Sequence, residues 1–184
     1  MQPLLLSHFT TTSCIGRGLA LTLASLRERR SGLQRCDFDG AELDTWTGSV
    51  PGVDDEVLRD DLRAYDCRNN WLAQLGLRQD GFEQAVDQTI ARVGRRRMGV
   101  FLGTSTAGIL QTELAYRRRD PVSGALPADF NYATTHNPYS GSDVVRHHFK
   151  LEGPAMAVAS ACSSSAKVYA SARRMLDAGV SDAA

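Results

Sequence analysis

Ala155-Met156-Ala157-Val158-Ala159-Ser160-Ala161-Cys162-Ser163-Ser164-Ser165-Ala166 is the stretch on which the reading of this chain turns. Met156-Ala157-Val158-Ala159 reads as a buried strand, and small residues from Ser163 onward open a helix. Cys162 stands between them. A strand-to-helix turn of this kind pushes one side chain out of the sheet, as a nucleophile elbow does. The thiol then lies at a helix N-terminus, where the positive end of the macrodipole favours an anion. Ser160, Ala161, Ser163 and Ser164 are small enough to let a substrate approach the sulfur. A small cysteine packed at a strand end is the competing reading.

The helix after Cys162 is expected to run to about Ala178, with Arg173 and Arg174 near its end and Gly179 as its cap. Ala166, Val168, Tyr169, Ala170, Ala172, Met175 and Leu176 wrap most of its circumference, so burial on several sides is expected. Upstream, Val100-Phe101-Leu102 reads as a second buried strand feeding the polar loop 103–108. Between the strands, 109–116 reads as helix and 121–127 as loop. Ser142 is expected to cap a helix carrying Val144, Val145, His148 and Phe149, with Gly153-Pro154 closing that region. Asp80 with Glu83 three residues on has capping-box spacing before the stripe Phe82, Val86, Ile90 and Val93, which Gly94 ends. Trp71, Leu72 and Leu75 suggest a short helix. Ile15, Leu19, Leu23 and Leu26 have helical spacing before Gly32. The Asp- and Gly-rich residues 34–61 lack sustained periodicity and read as a long surface excursion. Strands alternating with helices argue for an α/β fold with a largely parallel sheet.

Bulk composition limits the alternatives. The 184 residues suit one domain with a real core, and 42% apolar with 23% charged is ordinary for a globular protein. The 21 basic and 21 acidic residues cancel, so no overall field favours nucleic acid or an anionic membrane. Cys14, Cys36, Cys67 and Cys162 show no C-x-x-C spacing, so reduced thiols in the cytoplasm are the default. Met1-Gln2-Pro3-Leu4-Leu5-Leu6 has no basic n-region and reads as a first strand rather than a signal peptide. No apolar run is long enough to span a membrane.

Adjacent His147 and His148 would point about a hundred degrees apart on a helix, have no zinc-site neighbours, and read as solvated surface. Arg95-Arg96-Arg97 and Arg117-Arg118-Arg119 read as solvated faces, with docking of an acidic partner as the functional option. The spacing of Gly103, Ser105 and Gly108 fits neither a serine hydrolase nor a P-loop.

Ala161-Cys162-Ser163-Ser164-Ser165-Ala166 resembles the active-site signature of β-ketoacyl-acyl-carrier-protein synthases, members of the thiolase-like superfamily. Further segments stand in the family's order. Leu4-Leu5-Leu6, Ile15-Gly16 and Leu26-Arg27-Glu28-Arg29-Arg30-Ser31-Gly32 resemble its opening strand, turn and first helix. Arg68-Asn69-Asn70 with Leu72-Ala73 resembles the next helix. Gly99-Val100-Phe101-Leu102-Gly103-Thr104-Ser105 resembles the strand and loop that line the acyl pocket, and Gly153-Pro154 also matches. The likeness covers essentially the whole chain and is weakest over 34–66.

What the resemblance implies is a thiolase-like α/β fold: the N-terminal half of a layered αβαβα architecture with a mixed, mainly parallel sheet. Residues 1–184 would be the β-ketoacyl synthase N-terminal domain, ending before the C-terminal half. Cys162 would take an acyl group from a carrier protein's phosphopantetheine arm. A malonyl-carrier extender would then lose carbon dioxide and attack the acyl-cysteine, in fatty-acid or polyketide-type synthesis. Thr106 falls at the family's pocket gatekeeper position and Ser105 precedes it, which makes both candidates for substrate binding; ordinary polar loop residues are the competing reading. Lys167 falls where many relatives have histidine, and packing or solvation is its expected role. Two histidines and a lysine of the family's site belong to the C-terminal half, and His8, His136, His147 and His148 match none of them. No cofactor is implied. The expected partners are acyl carrier protein and a second synthase chain, identical or not. Two other readings stay open: a non-catalytic remnant or partner subunit, and a thiol hydrolase pairing Cys162 with His136 or His148.

Overall fold

The structure, a computed structural model, describes residues 3–38 and 40–184; Met1, Gln2 and Asp39 lie outside the described residues. At its centre are two parallel strands, β5 (Val100–Gly103) and β6 (Ala155–Val158), in register from Val100 with Ala155 to Gly103 with Val158. Four helices join or flank them: α3 (Phe82–Val93), α4 (Ile109–Arg117), α5 (Tyr139–His148) and α6 (Ser164–Asp177). Successive residues of a strand face opposite sides of a sheet. Leu102 packs against Gly141 of α5, while the next residue, Gly103, abuts Ser164 and Ser165 at the head of α6. Helices α5 and α6 therefore cover opposite faces of the strand pair.

Strand β5 pairs with β6 along its length, and the two residues just before it pair on the other edge. The Val100 N–H donates to Pro154 on one side at 2.8 Å, and the Gly99 N–H donates to Ala183 on the other at 2.9 Å. Ala183 forms a parallel bridge with Met98. The antiparallel part of the topology is separate from this ladder. It consists of two small hairpins, β1 (Thr12–Ser13) with β2 (Gly16–Arg17), and β3 (Gln34–Arg35) with β4 (Trp46–Thr47). Two further helices, α1 (Leu19–Arg27) and α2 (Arg68–Leu77), complete the described elements of regular structure together with three 3₁₀ turns.

The apolar stripe of α3 does what its period predicts. Val86 and Ile90 are buried against Met98, Phe149 and Leu151, with Val100 beside them, which ties α3 to the end of α5 and the start of β5. A second cluster joins Leu58, Leu62 and Tyr65 to Val144 of α5. Residues 34–61 are thus more than surface. Val53, Leu58 and the following Leu62 are almost fully buried, and a 3₁₀ turn over Asp60–Tyr65 sets Leu62 and Tyr65 beside Leu58 against Val144 of α5. Isolated apolar anchors carry no period, so the segment's core role has no periodic signature.

Several local expectations are corrected. Leu4, Leu5 and Leu6 form no strand; Leu5 and Leu6 are exposed and pair with no β neighbour. Ile15 lies in the turn of the β1–β2 hairpin, not in a helix, and Leu21, Leu23 and Leu26 of α1 are exposed while Leu19 is half-buried. The one buried residue of α1 is Ser25, the N-cap Gly18 is buried too, and the Ser25 hydroxyl donates to the Ile15 carbonyl at 2.6 Å. Ser142 is no cap; α5 already begins at Tyr139, and Ser142 is buried with its hydroxyl donating to the Tyr139 carbonyl. Helix α6 packs chiefly on β5 and β6, leaving Tyr169 52% exposed, so the all-round burial expected of it is absent among the described residues.

The capping-box pair Asp80 and Glu83 separates into two long-range contacts. Gly81, in the left-handed region at φ 71°, is the N-cap of α3. The Asp80 carboxylate instead caps α1 from 61 residues away, accepting from the Leu19 N–H at 3.0 and 3.1 Å and from the Thr10 hydroxyl at 2.7 Å. Glu83 reaches His148 Nε2 at 2.7 Å across the α3–α5 contact, so His148 is a nearly buried inter-helix partner rather than solvated surface. Asp80→Ala should lower the unfolding free energy by about 1–2 kcal/mol, the size of a lost cap, and Asp80→Asn by less. Urea titration measures both, and an unchanged midpoint for Asp80→Ala would remove the capping assignment.

The arginine runs are also largely engaged within the chain. Arg95 donates to the Phe149 and Lys150 carbonyls at the end of α5, and Arg97 to Gly179 beyond the end of α6 and to Asp182. Arg96 pairs with Glu152, Arg117 with Glu113 and Arg118 with Asp129. Cations near helix C-termini answer the unpaired carbonyls there.

Candidate active site

Parallel strands β5 and β6 end at the same edge, and both loops of interest leave from that edge. From β5 comes Thr104-Ser105-Thr106. The Thr104 N–H extends the ladder to the Val158 carbonyl at 3.1 Å, and its hydroxyl donates to the Thr106 carbonyl at 2.5 Å, folding the loop back on itself. Ser105 and Thr106 are exposed. From β6 comes a 3₁₀ turn, Ala161–Ser163, directly followed by α6. Cys162 is exposed within that turn, two residues before the first residue of α6.

Ala161 has φ 50°, the left-handed region. For a residue with a Cβ this conformation costs about 1–2 kcal/mol, so the turn is held by its surroundings. Serine hydroxyls bond within it. Ser164 Oγ accepts from the Ser160 N–H at 2.9 Å and donates to the Ala161 carbonyl at 2.7 Å. Ser163 Oγ donates to the Ser160 carbonyl at 2.9 Å. The sequence shows these serines only as small neighbours of the thiol; their bonding has no signature in spacing or period.

The four thiols differ sharply in setting. Cys67, at the head of α2, is fully buried, and burial pushes its thiol up, which keeps it protonated. Cys14 and Cys36 are half-buried. Cys162 alone of the four is exposed.

No histidine is hydrogen-bonded to this thiol. His8 bonds Ser7, His136 Nδ1 bonds Thr112, His147 bonds the Asp143 carbonyl, and His148 bonds Glu83. The thiol hydrolase reading needs a histidine within reach of Cys162, and the contacts of His136 and His148 lie elsewhere. Around His147, Tyr65 donates to the Asp143 carboxylate, and burial next to that carboxylate pushes the phenol well up. Burial alone would raise Asp143, but the Tyr65 hydroxyl and the Arg146 guanidinium prevail and hold it below the usual carboxylate range. This cluster anchors α5 and does not touch the Cys162 turn.

A cleft of about 290 Å³ begins where the 104–106 loop ends; Ala107, Gly108 and Ile109 line it together with Phe38, Val50 and Leu72. Arg68 stands on its wall, bound to Asp54 at 2.6 and 2.9 Å. Neither Ser105, Thr106 nor Cys162 lines it. Among the described residues no group of three His, Cys, Asp or Glu side chains is arranged to hold a metal ion, and no helix is long and apolar enough to cross a membrane.

Residues 76–184, which carry β5, β6 and the Cys162 turn, match the family model described as the β-ketoacyl synthase N-terminal domain. The chain belongs to the β-ketoacyl synthase family. Among solved structures it is similar to the ketosynthase ApeO, solved in complex with its chain length factor ApeC, from Xenorhabdus doucetiae. The TM-score is 0.71 at 23% identity, and the match covers 92% of this chain and 42% of that one. At that identity the likeness speaks for the fold, the N-terminal part of the layered thiolase-like α/β architecture. The chain thus spans less than half the length of that ketosynthase. Comparison with curated proteins gives no match.

Proposed function

We propose that this β-ketoacyl synthase chain is an N-terminal domain over 1–184 whose Cys162 accepts an acyl group, and that it serves decarboxylative condensation on acyl carrier protein. The observation that carries the reading is the exposed Cys162 at the β6–α6 turn, inside the segment matched by the family model. In the first step the Cys162 sulfur attacks the carbonyl carbon of a carrier-bound thioester. The new C–S bond forms as the old one breaks, and the carrier thiol leaves with the proton. In the second step a malonyl thioester loses carbon dioxide, its carbanion attacks the acyl-cysteine, and the Cys162 thiolate departs. Both steps build negative charge on a carbonyl oxygen, and the backbone N–H of Cys162 is one candidate donor for it.

Ser105 and Thr106 are assigned to the acyl-binding side on one ground: their loop leaves β5 at the edge where the Cys162 turn leaves β6. The histidines of this chain bond elsewhere, so the proton transfers of a full cycle call for groups beyond it. That favours work within a larger synthase or beside a second synthase chain, an arrangement for which ApeO with its chain length factor is the precedent. A partner subunit that performs no chemistry is the second reading, and acyl transfer to Cys162 separates the two.

The test is site-resolved mass spectrometry of the folded chain. Iodoacetamide should label Cys162 ahead of Cys14 and Cys36 and leave Cys67 untouched. Prior incubation with an acyl-carrier thioester should add the acyl mass at Cys162 and block its alkylation, and Cys162→Ala should abolish both signals. Labelling mainly at Cys14 or Cys36 overturns the assignment.

A further inference from the structure

Ser164 is the one buried residue of α6. A buried hydroxyl in such a position must have its donor and acceptor capacity met. Both are met within the turn that carries Cys162. The Ser160 N–H donates to Ser164 Oγ at 2.9 Å, and Ser164 Oγ–H donates to the Ala161 carbonyl at 2.7 Å. The two partners precede Cys162 and Ser164 follows it, so one hydroxyl closes a five-residue loop with the thiol on its rim. The same bond fastens Ala161, whose φ of 50° a Cβ-bearing residue does not hold unaided.

The head of α6 is itself fixed in place. A Cβ at Gly103 would lie 2.7 Å from the Ser164 carbonyl oxygen and 3.0 Å from Ser165 Cα, so the end of β5 lies against the backbone of Ser164. Ser164 thereby joins the end of β5 to the turn that follows β6. By contrast, Ser163 is half-exposed and its hydroxyl bonds only Ser160, through the carbonyl at 2.9 Å and the hydroxyl at 3.1 Å.

We infer that Ser164 is the positioning residue for Cys162: its hydroxyl holds the left-handed turn at Ala161 and so fixes where the thiol is presented. The inference rests on Cys162 being the acyl acceptor. It requires that removing one hydroxyl, buried and away from solvent, slow the chemistry of a neighbouring thiol.

The experiment compares the full chain with Ser164→Ala, Ser164→Thr and Ser163→Ala. It reads the rate of Cys162 alkylation by iodoacetamide as a ratio to Cys14 and Cys36 in the same molecules. It also reads acyl transfer from an N-acetylcysteamine thioester. Ser164→Ala should lower the Cys162 ratio and the acyl transfer at least fivefold with Cys67 still protected. Ser164→Thr, which keeps the hydroxyl, should come back to within twofold of the parent, and Ser163→Ala should change the ratio by less than twofold. Equal Cys162 rates in the parent and Ser164→Ala overturn the positioning role alone. So does a loss in Ser163→Ala as large as that in Ser164→Ala, or a Ser164→Thr that stays as slow as the alanine variant. Labelling of Cys67 in Ser164→Ala would mark general unfolding and reduce Ser164 to a structural serine. If the parent's Cys162 reacts no faster than Cys14 and Cys36 and takes no acyl group, the acyl-acceptor reading fails first.

Discussion

Gly153→Ala is expected to abolish the native fold. A Cβ at this position would sit 2.1 Å from the Met98 carbonyl oxygen and 3.2 Å from that of Arg96. Both obstacles are backbone, so no side chain can rotate away. Relief requires the chain at Gly153 to withdraw from the segment before β5 by more than an ångström, and three hydrogen bonds resist that. The Glu152 and Gly153 N–H groups donate to the Arg95 carbonyl at 3.0 and 3.2 Å, and the adjacent Pro154 carbonyl accepts from Val100 at 2.8 Å in the first rung of the β5–β6 ladder. Overpacking of a close-packed site costs about 1–3 kcal/mol even where side chains can yield. Loss of the rungs comes on top of it, and a domain has only about 5–15 kcal/mol to lose.

Gly124→Ala provides the comparison. Gly124 has φ 72° and nothing within 4 Å of its would-be Cβ, so alanine there meets a conformational cost and no collision. That variant should remain folded with a loss of about 1 kcal/mol. Near-UV circular dichroism and thermal melting read both. A Gly153→Ala protein that melts within a few degrees of its parent would show that β5 and β6 do not meet as described.

Strands β5 and β6 and helices α3, α4 and α6 stand close to where pattern places them, and α3 shows the reason most plainly: it buries the face of Val86 and Ile90, and burial writes a period into the chain. The place of Cys162 in a strand-to-helix turn follows from the same alternation. What pattern misses is held by single polar contacts between distant residues. Asp80 and Glu83 have the spacing of a capping box, yet Leu19 and His148 are their partners, 61 and 65 residues away. Leu4, Leu5 and Leu6 are as apolar as a strand and find no neighbour to pair with among the described residues. Ser164 looks like one of three equal serines until its burial and its bond to the Ala161 carbonyl separate it from Ser163 and Ser165. Period reports burial; it does not report which donor meets which acceptor.

Leu62→Ala should cost about 3–5 kcal/mol, the upper range for truncating a buried leucine. Leu62 is 1% exposed and the largest of the fully buried side chains, yet it stands in a short 3₁₀ turn between Asp60, Asp61 and Arg63. Its neighbours in the cluster are Leu58, Tyr65 and Val144, and they are poorly free to collapse into the space it would leave. The Tyr65 hydroxyl is tethered to Asp143, whose carboxylate is also bound by Arg146, and Val144 belongs to α5, which lies against both strands. With its surroundings tied, the cavity stays open, and the loss exceeds the transfer free energy of the deleted atoms. Because α5 packs on β5 and β6, the damage should extend beyond the 50–66 region, so urea unfolding should move as one transition to a lower midpoint with an unchanged slope. A separate early transition, or a loss under about 1 kcal/mol against that expectation, would mean that this segment rests on the domain rather than forming part of its core.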